Sequence, residues 1–263
     1  MSDPREVLNR TGSPPDAEIR YGPEPEQIAD LRLPSRRGPL AAVVLLHGGF
    51  WRSAYDRTHV RPMADGLVKA GYAVATPEYA RTGARGGWPS TFDDVRLAVA
   101  RLPELVGHSV EIGDVVLVGH SAGGHLALWC AGLDLLDAYA GVVALAPVAD
   151  LVAAFRLDLD GGAVRALLGG SPEQVPDRYD AADPSRLPVP TGRVVVLHGQ
   201  EDAQVPVGGS VRYAARTSAD LRVLPGVEHF GLIDPTSDAW PAVLTAVRSV
   251  QDGRRQGGLA PSP

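Results

Sequence analysis

Short runs of apolar residues recur along this chain, at 41–46, 72–76, 115–118, 142–145, 194–197 and 221–224, and between them apolar residues repeat at helical spacing. A short run that is apolar throughout fits a strand covered on both faces, and regular alternation with helices predicts a mostly parallel sheet with helices on either side. The helices carry their own signals. The segment 62–70 stops at Gly71, a glycine suited to a left-handed cap, and Ser90 with Asp93 three positions on has the form of a capping box opening a helix through Leu105. From 150 to 190 the periodicity weakens, and Phe155, Leu157, Leu159, Leu167 and Leu168 stand among Gly and Pro, as expected of a small helical insertion over the strand ends. The segments 1–18 and 253–263 are rich in Pro, Gly, Ser and charge and are expected to be loosely ordered, leaving one domain over 19–252.

Composition narrows the function classes. With 44% hydrophobic and 21% charged residues and a net charge of -6, the 263-residue chain has no general attraction for nucleic acid or anionic lipid. No run approaches the length of a membrane span, and the first twelve residues have the polarity of neither a signal peptide nor an anchor, so a cytoplasmic protein is expected. Cys130 is the single cysteine, which excludes an internal disulfide. The composition leaves a homodimer open.

The chemistry begins where the run 115–118 breaks into Gly119-His120-Ser121-Ala122-Gly123. A serine held between small residues at a strand-to-helix turn is a candidate nucleophile, because only glycine and alanine leave room for so sharp a turn. A serine hydroxyl needs a base, an acid that orients the base, and donors for the oxyanion. Asp202 follows the run 194–197 and His229 follows 221–224, giving the order Ser, Asp, His, each after a strand. Asp150, after the run 142–145, is the alternative acid, and Glu201 is expected to be solvated. The Gly-Gly turn of His47-Gly48-Gly49-Phe50-Trp51 can bare backbone amides beside the nucleophile, with the Ala122 amide as a further donor.

These motifs resemble those of the α/β-hydrolase esterase/lipase superfamily, over roughly residues 20 to 250. More narrowly, His47-Gly48-Gly49-Phe50-Trp51 resembles the H-G-G-x-W motif of kynurenine formamidase-like enzymes and small carboxylesterases, and the segment Tyr21-Gly22 followed by 27–34 resembles the start of their catalytic domains. The resemblance implies a cofactor-independent serine hydrolase acting on a small ester or formyl-type amide, with catalytic Ser121, Asp202 and His229 and an oxyanion hole at Gly48, Gly49 and Ala122. Acyl transfer by the same triad, or ligand binding on a hydrolase fold without catalysis, are the alternatives. Phe50, Trp51, Trp88 and Phe230 are the candidate pocket residues, and Arg52, Arg81, Arg85 and Arg156 could meet a substrate carboxylate. His47, His198 and His120 are expected to serve backbone shape and His125 packing. The histidines have no metal-ligand spacing, so no metal is expected.

Overall fold

The computed structural model describes residues 4–36 and 38–257. The strands are β1 (Ala17–Arg20), β2 (Ile28–Arg32), β3 (Leu40–Leu46), β4 (Ala73–Pro77), β5 (Ile112–His120), β6 (Tyr139–Leu145), β7 (Arg193–Gly199) and β8 (Asp220–Leu224). They form one eight-stranded sheet in the order β1-β2-β4-β3-β5-β6-β7-β8. From β4 through β8 every neighbouring pair is parallel, whereas β1 and β2 extend the sheet in antiparallel sense. The helices are α1 (Arg61–Lys69), α2 (Ser90–Gly107), α3 (Ala122–Gly132), α4 (Leu151–Arg156), α5 (Ala163–Leu168), α6 (Pro176–Ala182), α7 (Gly208–Thr217) and α8 (Trp240–Gly257).

Strand pleating divides the apolar residues between two cores. On β3, Ala42, Val44 and Leu46 join Phe92 and Val95 of α2 and Leu126 of α3, while Val43 and Leu45 join Met63 and Leu67 of α1 and Val243 and Val247 of α8. This is why the strand runs are apolar at every position. The expected insertion is the three short helices α4, α5 and α6.

Three expectations change. Residues 4–9 are not loose but form a 3-10 turn (Pro4–Asn9), because Val7 drops into the α1/α8 core and the Arg10 guanidinium holds Asp234 at 2.6 Å. At the other end α8 runs to Gly257, past the expected boundary at 252, and 258–263 lie outside the described residues. The capping box at Ser90 does not form: Ser90 is already helical, no side chain caps this end, and α2 continues to Gly107. Its neighbour Thr91 ties the helix start down instead, donating to Ala80 O at 2.6 Å and accepting from Gly87 N at 2.9 Å.

Candidate active site

Ser121 is the single residue between β5 and α3, with φ 56° and ψ -117°. A non-glycine residue in the left-handed region is strained, and the surroundings must hold it there. Close packing does so. A Cβ on Gly119 would lie 2.2 Å from Gly123 O, and one on Gly123 would lie 2.2 Å from Leu46 O, so α3 can meet the sheet at this distance only with glycine at both positions. The turn delivers Ser121 into a cleft of about 200 Å³ at the carboxyl ends of the strands, which it shares with His229.

His229 follows β8, and its Nδ1 donates to Asp202 Oδ2 at 2.6 Å. Asp202 stands in the loop after β7, where its Oδ1 accepts the amides of Gln204 at 2.9 Å and Val205 at 2.8 Å. A second histidine touches the same carboxylate. His198 Nε2 lies 3.3 Å from Asp202 Oδ2 and donates to Val205 O at 2.8 Å, while Ser210 Oγ is 2.8 Å from its Nδ1. Burial disfavours the Asp202 charge, but hydrogen bonds from His198, His229 and the Val205 amide outweigh it and hold the carboxyl well below the usual carboxylate range. A fixed anion at this distance can orient an imidazole and stabilise its protonated form.

His120 does more than shape the backbone. Its Nε2 donates to His229 O at 3.1 Å and its ring lies 4.5 Å from the His229 ring, so the residue before the serine braces the loop that carries His229. Burial and the neighbouring His229 push the His120 imidazole well below the ordinary histidine range. The alternative acid is elsewhere: Asp150 caps α4 by accepting Ala153 N at 2.8 Å and pairs with Arg212 at 2.9 Å. Glu201 is exposed, as expected.

After β3 the backbone takes positive φ at Gly49 (100°), Phe50 (49°) and Trp51 (57°) in succession. A Cβ on Gly48 would stand 3.0 Å from His120 O and 3.1 Å from Ser121 Cβ, which places this loop directly against the serine. Buried groups hold it from behind. His47 Nε2 donates to Glu78 Oε1 at 2.9 Å, its ring stacks on Tyr79 at 4.3 Å, and the Tyr79 hydroxyl donates to His47 O at 2.7 Å. Burial resists the Glu78 charge, yet His47 and Arg81 hold this carboxyl below its ordinary value.

The BD-FAE family profile matches residues 29–216, which include Gly48, Gly49, Ser121 and Asp202. The chain belongs to the BD-FAE family. No curated protein matches it significantly in sequence. Esterase B from Lactobacillus rhamnosis is similar in structure, with a TM-score of 0.77 at 18% identity over 97% of this chain and 91% of that one. A form of it inhibited by a tributyrin phosphonate has a TM-score of 0.76 at 19% identity, over 97% and 91% of the two chains. A hyperthermophilic esterase from the archaeon Pyrobaculum calidifontis has a TM-score of 0.70 at 20% identity, over 95% and 88% of the two chains. At these identities the likeness is one of fold, and the fold is that of the α/β-hydrolases.

The cleft of this BD-FAE protein is lined by Phe50 and Phe230 but by neither expected tryptophan. Trp51 has its indole in the core, fully buried and edge-on to His125 at 5.1 Å, and Trp88 packs edge-on to Phe92 at 5.1 Å. Tyr55, His59 and, from the N-terminal turn, Arg5 and Leu8 line the cleft in their place. No motif marks them, because they come from segments far apart in the chain. Three of the four arginines expected to meet a substrate carboxylate are engaged in the protein, Arg52 with Asp160, Arg81 with Glu78 at 3.1 Å and Arg85 with Asp94 at 2.6 Å, and the fourth, Arg156, is exposed and does not line the cleft. His125 packs as expected, its Nε2 donating to Ala182 O at 3.0 Å. A larger hollow of about 380 Å³ includes Arg193 and Asp220, where β7 and β8 begin, so it opens at the amino ends of the strands, away from the serine. Among the described residues, no helix is long and apolar enough to cross a membrane and no three His, Cys, Asp or Glu side chains group as metal ligands.

Proposed function

We propose that this protein is a serine hydrolase that cleaves small esters or formyl-type amides through an acyl-enzyme. One observation carries the reading: the 2.6 Å bond from His229 to Asp202 stands in the same cleft as a serine held at positive φ on a strand-to-helix turn. In this mechanism His229 Nε2 takes the Ser121 proton as Oγ attacks the carbonyl, and Asp202 supports the imidazolium that results. The amides of Gly48, Gly49 and Ala122 face the developing oxyanion. Collapse of the tetrahedral intermediate passes the proton from His229 to the leaving oxygen or nitrogen. Water then attacks the acyl-enzyme by the same route and frees the serine.

A cleft of about 200 Å³ lined by Phe50, Tyr55 and Phe230 favours short acyl groups and aromatic leaving groups, the range of an arylformamidase or a short-acyl carboxylesterase. The test is a kcat/KM panel of N-formyl-kynurenine, p-nitrophenyl acetate and p-nitrophenyl butyrate, with fluorophosphonate labelling of the wild type and of Ser121→Ala. The wild type is expected to be labelled and to turn over at least one substrate, and Ser121→Ala to lose both properties. Labelling or wild-type turnover in Ser121→Ala would overturn the assignment.

A further inference from the structure

The N-terminal turn Pro4–Asn9 precedes the family match, which begins at residue 29, and yet it contributes to the candidate active site. Arg5 and Leu8 line the cleft that holds Ser121 and His229. The turn is seated on both sides of that cleft, against the segment Arg57–Val60 and against the segment Phe230–Ile233 that follows the base. Its anchors are specific. Val7 is 1% exposed in the α1/α8 core, Leu8 packs on the same core, and Arg10 donates to Asp234 at 2.6 Å and to Thr236 at 3.0 Å. Further on, Ser13 N donates to Asp65 at 2.7 Å and Arg32 donates to Ser13 O at 2.8 Å. A segment tied at this many points is a fixed wall.

We propose that Leu8 is a specificity-determining residue that contacts the alcohol portion of the ester substrate. The side of the cleft follows from the proton's path. His229 receives the proton from Ser121 and gives it to the leaving oxygen, so the leaving alcohol must lie on the side of His229. The residues that continue from His229 are Phe230–Ile233, and the N-terminal turn packs on them. Leu8 therefore meets the apolar part of an alkyl or aryl alcohol, together with Phe230. The acyl group, which stays on Ser121 after the alcohol departs, does not touch it.

This inference rests on the serine-hydrolase reading. It is tested with the full chain on methyl, butyl and hexyl acetate, which give the same acetyl-enzyme, and on a p-nitrophenyl series of increasing acyl length. Leu8→Ala is expected to lower kcat/KM for hexyl acetate about tenfold while leaving methyl acetate within about twofold, since methyl lacks the part that Leu8 touches. Leu8→Met, which keeps an apolar side chain there, should recover most of the loss. The deacylation rate and the relative rates along the acyl series should not move, which a merely structural role of Leu8 would not predict. Arg10→Ala, which loosens the turn without replacing a residue of the cleft lining, should reproduce the same selective loss and serves if Leu8→Ala fails to fold. Equal losses on all acetates, no loss, or a change confined to the acyl series would overturn the proposal. If the wild type hydrolyses none of these esters and resists fluorophosphonate, the hydrolase reading falls and this inference with it.

Discussion

Asp202 accepts from His229, His198 and two backbone amides, whereas Asp150 is occupied at the start of α4 and with Arg212. The two acids therefore differ sharply in what their removal should do. Asp202→Asn is expected to lower kcat by up to about 10⁴-fold, because an amide neither stabilises the imidazolium nor fixes the tautomer. Asp150→Asn keeps a good helix cap and should leave kcat within about twofold. Steady-state kinetics on both variants decide the matter, and the reverse ranking would move the acid to Asp150. The pairing of Asp202 with His229 was legible in the sequence, since Asp202 follows a strand and precedes the histidine in the order Ser, Asp, His. The part played by His198 was not, because the contact that brings it to the acid depends on how the loop after β7 folds back.

Elements were legible in proportion to how apolar their buried faces are. The strands β3 to β7 lie under helices on both sides and show it residue by residue. The strand β2 does not, because its buried Asp30 and Arg32 are charged: Asp30 is 1% exposed and meets Arg57 at 2.7 Å and Arg61 at 3.1 Å. A buried charge with this many partners reads in sequence as a solvated position. The same blindness applies to Glu78, just past β4, which holds the loop after β3 through His47. Glu78→Gln would leave His47 and Arg81 without their anion, and breaking such a buried pair typically costs about 3–5 kcal/mol. Urea unfolding at neutral pH is expected to show a loss of that order, with kcat/KM falling as the Gly48–Gly49 backbone loosens. Unchanged stability and activity would mean that Glu78 does not secure the loop. The aromatic residues of the loop misled for a related reason: the motif puts Trp51 near the serine, but its indole is fully buried in the core beside His125, a contact that joins segments far apart in the chain.

For the whole molecule, histidines withdrawn from solvent, His125 fully and His59 in part, tie stability to pH. Burial lowers the imidazoles of His59 and His125 to about 4, and the nearby His47 adds to the effect at His59. Free histidine titrates near about 6.5, so between these values the unfolded chain binds protons that the folded chain refuses. The stabilisation is fully present above about pH 6.5 and is lost as pH falls toward about 4, with a slope of about 1.4 kcal/mol per pH unit for each full proton of difference. At lower pH the depressed carboxyls of Glu78 and Asp202 act in the same direction. Urea unfolding from pH 7.5 to 4.5 should show a steady loss that begins before any ordinary carboxylate titrates. A flat profile down to pH 4.5 would contradict the burial of these rings in the neutral form.

Every residue of α3, from Ala122 to Gly132, is buried, so this helix has no wet face from which to fray. Its amide hydrogens can meet solvent only when the sheet and its covering helices part, and they should be among the slowest in the chain to exchange for deuterium. The first turn of that helix begins at the residue after Ser121. Ser121 is thereby fastened to the last region to open, and on heating the fluorophosphonate labelling expected of it should persist until the cooperative unfolding transition and vanish with it.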